Sequence, residues 1–338
     1  LVENALDAGA SQIDIEAQGG GVELIKVSDN GAGIPASEVE LAFRRYATSK
    51  IGNLDDLEKI ASLGFRGEAL PSIAAVAEVE IFAEADSESV GSYACLRNGD
   101  IVRRESRSRP QGTTVNVHRL FRYFPARLKF LKSTNTENSH IAHLVSKYAL
   151  AFPEVAFTLL LDKHLSLRTA GDGDLRQVVS QIYGLEVAQN MLEVAESNFL
   201  KVAGLTSPLS LTRSDRSHLS FFINRRWVHS ALLARATEEA YHGLLMEGRH
   251  PITIINVSLP ATEVDVNVHP AKAQVKFRQE QTVFAAVEKA IKAVLDRTPV
   301  ARSKAVIFSD TSWQEIASLG GQREGIVRDK ELPYVIPV

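Results

Sequence analysis

Asp29-Asn30-Gly31-Ala32-Gly33-Ile34 lies where a strand pattern runs into a turn. Upstream of it, residues 13–17 and 22–27 alternate apolar and polar side chains on either side of Gly19, Gly20 and Gly21, which predicts a β-hairpin. A carboxylate at a strand end can accept a hydrogen bond from an exocyclic amine such as that of adenine, and two glycines let a base approach the backbone. Read alone, Asp-Asn-Gly is first of all turn chemistry. Before the hairpin, Leu1, Val2, Ala5 and Leu6 fall on one side of a helix over residues 1–8 that ends at Gly9. That helix carries Asn4, whose carbonyl oxygen can be the one protein ligand of a Mg²⁺ otherwise held by phosphates and water; the plain alternative is a solvated helix face.

Downstream, Ser37 followed by Glu40 resembles a capping box opening a helix that ends near Tyr46. Residues 47–67 lack regular pattern and are punctuated by Gly52, Gly64 and Gly67, the marks of a long functional loop. The loop enters a helix over 68–77 through Gly64-Phe65-Arg66-Gly67-Glu68-Ala69-Leu70. Unpaired N–H groups at such a helix start favour phosphate oxygens, although Glu68 also reads as an acidic residue matched to the helix dipole. Strands are expected at 79–83, 92–96, 101–104 and 113–118, a helix at 136–151, and strands at 155–161 and 165–168. Gly171-Asp172-Gly173-Asp174 makes a turn before a helix at 175–183, and a domain boundary is expected near there. The second half predicts strands at 199–205, 219–223 and 253–259, with helices at 232–245 and 282–295. Within it, Asp265-Val266-Asn267-Val268-His269-Pro270-Ala271-Lys272 places a lysine on the turn after a strand. Such a lysine can reach across a domain interface to a terminal phosphate, or simply be exposed. From residue 298 periodicity fades, and Pro299, Pro333 and Pro337 suit a linker. Helices with a largely antiparallel sheet make this an α+β chain.

With 338 residues, 45% hydrophobic and 23% charged, the chain suits two domains at roughly 150 residues each. The single cysteine, Cys95, excludes an internal disulfide framework and a cysteine zinc cluster, and points to a reducing compartment. No apolar run approaches the roughly 18 residues needed to cross a bilayer, so no membrane partner is expected. No Gly-Lys dipeptide, Gly-x-Gly-x-x-Gly or His-Glu-x-x-His occurs, which removes the Walker, dinucleotide and zinc-protease readings. The net charge of −3 gives no whole-molecule argument for nucleic acid. Locally, however, residues 97–132 hold ten Lys or Arg against Asp100 and Glu105. That segment can contact DNA phosphates or be a solvated hairpin with scattered pairs. Phe121, Tyr123, Phe124 and Phe130 read as core rather than as stacking platforms, because their neighbours are apolar too.

Taken together, these segments match one family in type, order and spacing. The chain resembles the N-terminal part of the MutL family of DNA mismatch repair proteins, within the GHKL group of ATPases. Residues 64–70 look like the MutL signature, and residues 120–131, 222–226 and 264–272 also resemble MutL-type segments over a span of about 1–295. The resemblance implies a GHKL (Bergerat-type) ATP-binding α/β sandwich over 1–178, a ribosomal-protein-S5-domain-2-like α+β domain over 179–298, and a linker over 299–338 toward a C-terminal dimerisation domain. It implies ATP and Mg²⁺ as cofactors. Asn4 would hold the metal, Asp29 the adenine amino group, Gly31 and Gly33 would line the base, and Thr113 would act through water. Thr48, Ser49 and Lys50 with Gly64, Phe65, Arg66, Gly67 and Glu68 would form the phosphate lid. Lys272 would come from the second domain to the γ-phosphate.

One feature departs from the family pattern. The GHKL general base is a glutamate four residues before the metal-binding Asn, a position that falls before Leu1. Glu3 cannot replace it, since adjacent helical residues point about 100° apart. The expectation is an ATPase parent protein, with this chain by itself binding ATP weakly at best. As the resemblance has it, the parent is an ATP-driven clamp that dimerises with itself or a paralogue, binds DNA largely without sequence preference, and couples a MutS-type mismatch-recognition protein to a downstream helicase or nuclease. It would be cytoplasmic or nucleoid-associated if bacterial. The competing expectation is a non-hydrolysing DNA-binding scaffold of the same fold; a sensor histidine kinase is disfavoured by the second domain with Lys272.

Overall fold

The computed structural model describes residues 1–44, 68–86, 88–197, 200–265 and 275–297. Its first sheet is built from β1 (Gln12–Gln18), β2 (Leu24–Asp29), β3 (Glu78–Glu84), β4 (Ser92–Arg97), β5 (Asp100–Ser106), β6 (Gly112–His118), β7 (Ala156–Leu161) and β8 (His164–Arg168). They lie in the order β5-β4-β3-β6-β2-β1-β7-β8, antiparallel throughout except for the parallel pair β1 and β7. Alternation decides which face is buried: Ile13, Ile15 and Ala17 of β1 turn inward between partly exposed polar neighbours. On that face pack the helix Thr134–Ala151, capped by the Ser133 hydroxyl, and the helix Leu175–Tyr183, capped by Asp174. On the other half of the sheet, Val79, Ile81, Leu96 and Val117 close a separate cluster with Ala74 and Val39.

The second sheet has the order β13-β12-β15-β10-β9. Its strands are β9 (Leu192–Ser197), β10 (Lys201–Thr206), β12 (Leu219–Ile223), β13 (Arg226–Val228) and β15 (Thr253–Ser258). Two short ladders flank it, β11 (Thr212–Arg213) with β14 (His250–Pro251), and β16 (Val264–Asp265) with β17 (Lys276–Phe277). In β12 and β15 the apolar residues run without alternation because both faces are covered. Phe221 and Ile255 face the helices Ala231–Ala240 and Glu280–Arg297, while Phe222 and Ile254 join the core of the first sheet and its helices. The two sheets therefore share one continuous apolar seam.

Polar groups also lie in that seam. Lys147, 2% exposed, donates to the Ser220 hydroxyl of β12 at 2.6 Å. Burial pushes its amine down to about 8. One turn earlier on the helix, His143 stands edge-on to Trp227 of β13, with ring centroids 6.1 Å apart. Burial, aided by the positive charges of Lys147, His140, His218 and His229, pushes its imidazole down to about 4 from 6.5. The native state then binds fewer protons than the unfolded chain between those two values, so stability is expected to fall as pH drops from 6.5 through 4. Denaturant midpoints across that window should decline less steeply for His143→Gln than for the parent; equal slopes would refute the assignment.

Three expectations from sequence are corrected. Residues 37–46 do not open a helix: turns lead into a 3-10 turn at Leu41–Phe43, and the Glu40 carboxylate pairs with Arg44 at 2.9 Å rather than capping; residues 45 and 46 lie outside the described set. The helices expected over 68–77 and 232–245 are shorter, Ala69–Ala74 and Ala231–Ala240. The aromatic segment is not core, since Phe130 is 82%, Tyr123 55% and Phe124 38% exposed. Positive φ at Arg119 and Phe121 turns the chain outward at the sheet, where Leu120 and Phe121 N–H bond Val22 and Val76 carbonyls. Beyond that anchor, the Arg127 guanidinium lies over Phe121 and Phe124, and that of Arg122 over Tyr123, so these rings carry a cation on one face while partly exposed. The helix Leu185–Asn190 and the strands β9 and β13 are additions that the sequence pattern did not reveal.

Candidate functional site

β2 ends at Asp29, and the β2–β6 register sets Asp29 opposite Thr113. The Asp29 Oδ1 accepts from the backbone N–H of Gly31 at 2.9 Å and of Thr113 at 3.3 Å. Its Oδ2 has no hydrogen-bond partner among the described residues. Burial raises the Asp29 carboxyl above its ordinary range, while the two N–H donors and the Arg109 charge oppose that rise. Arg109 is held in place by the Phe82 carbonyl at 2.7 Å.

In front of Asp29 is a cavity of about 80 Å³. Val27, Ile81 and Val115 give it an apolar wall, and Asn4, Asp29 and Thr113 supply the polar atoms. The Asn4 amide makes no side-chain hydrogen bond among the described residues. Its neighbour Glu3 turns away, accepting from the Tyr148 hydroxyl at 3.1 Å. Gly33 lines the cavity at φ +72, and a Cβ there would fall 2.0 Å from the Glu84 carbonyl oxygen. A Cβ on Gly31 would fall 2.7 Å from the Ala8 carbonyl oxygen, so both glycines serve the close packing of the Asp29 turn against backbone.

Of the residues singled out in the sequence, the structure brings Asn4, Asp29, Gly33 and Thr113 to this cavity and packs Gly31 against Ala8 and Asp29, which line it. Glu68 precedes the helix Ala69–Ala74, whose Leu70 also lines the cavity. Thr48, Ser49, Lys50, Gly64, Phe65, Arg66, Gly67 and Lys272 lie outside the described residues. A larger cleft of about 310 Å³ in the seam holds none of the expected nucleotide-site residues, although Phe222 and Arg225 of the 222–226 segment line it. The guanidinium there, Arg225, is already engaged by the Ala151 carbonyl, Glu154 and the Phe152 ring. The smaller cavity is therefore the better site, on chemistry rather than on size.

The donor set fits a nucleotide better than a caged metal. Among the described residues no cluster of three His, Cys, Asp or Glu can hold an ion. Asn4 is a single neutral oxygen ligand, suited to an ion carried mostly by phosphates and water. Asp29 Oδ2, which has no hydrogen-bond partner among the described residues, is an acceptor beside an apolar wall, which suits an amino-bearing base.

The basic segment is largely paired. Arg97, Arg119 and Arg122 converge on Glu78, and Arg103 and Arg107 meet Glu105. Arg104 donates to the Ala36 carbonyl at 2.7 Å. Arg127, Lys129 and Lys132 have no ion-pair partner among the described residues. No helix of the described residues is long and apolar enough to cross a membrane.

Comparison with known proteins matches both halves of the chain. Residues 1–116 match the family described as histidine kinase-, DNA gyrase B- and HSP90-like ATPase. Residues 179–296 match the family described as DNA mismatch repair protein, C-terminal domain. The DNA mismatch repair protein MutL of Streptococcus thermophilus is 44% identical over 292 residues, covering 86% of this chain and 45% of that protein. The chain thus spans less than half the length of the curated relatives it matches. A solved N-terminal domain of a DNA repair protein superposes with a TM-score of 0.72 at 26% identity, over 88% of this chain and 92% of that one. The Aquifex aeolicus MutL ATPase domain complexed with ADP shares the fold at a TM-score of 0.58 and 24% identity, over 85% of this chain and 93% of that one. The fold is the expected α+β combination of a GHKL ATPase domain with an S5-like domain. With sequence and fold in agreement, the chain belongs to the MutL family of DNA mismatch repair proteins.

Proposed function

We propose that this chain is the nucleotide-operated switch of a mismatch repair clamp. The observation that carries the reading is the cavity in which Asp29, Thr113 and Asn4 meet, with Asp29 Oδ2 left as an acceptor. Asp29 would hold the adenine amino group, Thr113 would support it through water, and Gly31 and Gly33 would shape the pocket. Asn4 would ligate Mg²⁺, whose role when bound is to screen phosphate charge. Thr48, Ser49, Lys50 and the segment from Gly64 to Glu68 would close over the phosphates, and Lys272 would bring the 179–298 domain to the γ-phosphate bound by the 1–178 domain. Ordering of that lid is a change biased by the γ-phosphate, and it would favour pairing of two such chains and signal from a MutS-type protein to downstream strand processing. Slow hydrolysis in the parent protein would reset the switch. Arg127, Lys129 and Lys132 are the cations best placed for sequence-independent DNA contact. A cytoplasmic or nucleoid-associated location is part of the same proposal.

The test is calorimetric binding of a non-hydrolysable ATP analogue to the intact protein with and without Mg²⁺. Saturable binding strengthened by Mg²⁺ is expected. Asn4→Ala should remove most of the Mg²⁺ enhancement, a loss of about tenfold in affinity for one ligand oxygen. No binding at millimolar nucleotide would overturn the switch and leave a non-hydrolysing DNA-binding scaffold, a reading favoured by the unpaired cations beside the exposed rings at 123–130.

A further inference from the structure

The helix Thr134–Ala151 contacts both the opening helix that carries Asn4 and the second sheet through two consecutive residues. Tyr148 donates its hydroxyl to Glu3 Oε1 at 3.1 Å, and Glu3 precedes Asn4 on the opening helix Val2–Asp7. Burial and the Glu3 carboxylate push the Tyr148 phenol well above its usual range, so it stays a donor at any working pH. Lys147, the preceding residue, donates to Ser220 Oγ at 2.6 Å, and Ser220 is fully buried in β12. β12 pairs in parallel with β15, and the chain after β15 continues through Ala261–Glu263 and β16 to the segment that carries Lys272. Both bonds sit on adjacent residues of one rigid helix, about 1.5 Å apart in rise. The two bonds thus link the Asn4 helix to β12 through one helix rather than through a loop.

We propose that Tyr148 and Lys147 are positioning residues that couple occupancy of the Asn4–Asp29 cavity to the placement of β12, and through it the second sheet. Neither touches the bound ligand. Their role follows from the two hydrogen bonds acting in series: Glu3 to Tyr148 on one side, Lys147 to Ser220 on the other. The inference rests on the nucleotide reading of the cavity. A coupling route is established only when breaking its parts changes the coupling.

The experiment uses the intact protein, Mg²⁺ and a non-hydrolysable ATP analogue. Affinity is read by calorimetry, stability by denaturant unfolding, and the response of the second sheet by amide exchange at Leu219–Ile223 and Thr253–Ser258. In the parent, nucleotide should slow exchange in both strands. Tyr148→Phe should keep the fold and change affinity less than about threefold, yet cut the nucleotide-dependent change in exchange about fivefold, as expected for one lost hydrogen bond. Lys147→Met should do the same. The double variant should be no worse than either single one, since links in series fail together. Glu3→Gln keeps an acceptor for Tyr148 and should preserve the coupling. An undiminished exchange response in Tyr148→Phe, or additive losses in the double variant, would overturn the proposal while nucleotide binding still stands. Absence of binding in the parent would overturn the cavity reading and this inference with it. Should Lys147→Met not fold, Tyr148→Phe decides alone.

Discussion

Phe222→Ala is expected to lower the unfolding free energy of the chain by about 3 kcal/mol or more, the low end for a large-to-small change at a buried aromatic. Phe222 is 1% exposed and lies in the core that runs from the helix Thr134–Ala151 through Ile254. Removing the ring costs its transfer energy and leaves space that the two sheets can close only by moving together. The ring already borders the 310 Å³ cleft, so truncation widens an existing opening and water can enter, which holds the cost below that of a sealed void. Phe221, on the opposite face of the same strand, provides the control. Phe221→Ala should cost a similar amount but loosen the helices Ala231–Ala240 and Glu280–Arg297, whereas Phe222→Ala should loosen the seam. Denaturant midpoints give the magnitude and amide exchange gives the location. Equal exchange patterns for the two variants would show that the seam is not a separate packing layer.

The seam also marks where the sequence was and was not sufficient. Alternation in residues 13–17 and 22–27 predicted the β1–β2 hairpin because one face of each strand stays polar. The mostly apolar stretch Leu219–Ile223 identifies a strand but not what covers its second face, since two-sided burial has no period. The three-residue strand β13 and the helix Leu185–Asn190 are too short to impose a pattern of their own. Residues 121–124 misled for a different reason: apolar neighbours cannot distinguish a buried ring from one that carries an arginine on its face. In the candidate site, Asp29 stands out in the sequence from its place at a strand end and Asn4 from its place on the opening helix, whereas Thr113 comes only from the family resemblance; the β2–β6 register then sets Thr113 opposite Asp29. The Glu3–Tyr148 contact was not, since 145 residues separate its partners and neither residue type announces the other. Arg109 was counted with a basic stretch, yet its position is set by the Phe82 carbonyl and its charge falls on Asp29.

Asp29→Asn is expected to weaken nucleotide binding about a hundredfold or more while leaving the fold intact. The two carboxylate oxygens differ in their partners. Oδ1 already accepts from Gly31 and Thr113 N–H, so in the variant the amide oxygen takes that place and keeps both bonds. The amide NH₂ then occupies the position of Oδ2, where it meets an exocyclic amine donor to donor. A charge-assisted bond of about 1.5–3 kcal/mol is lost, and a poorly hydrated donor pair adds about 1 kcal/mol or more, which together give the stated factor. The opposite amide orientation would restore an acceptor to the cavity but set NH₂ against two backbone donors, and would register as a loss of stability instead. Calorimetric titration with the non-hydrolysable ATP analogue, alongside denaturant unfolding, separates these outcomes. Weakened binding at unchanged stability places the base at Asp29. Unchanged binding at unchanged stability would show that the carboxylate does not meet the ligand, and the adenine assignment would fall.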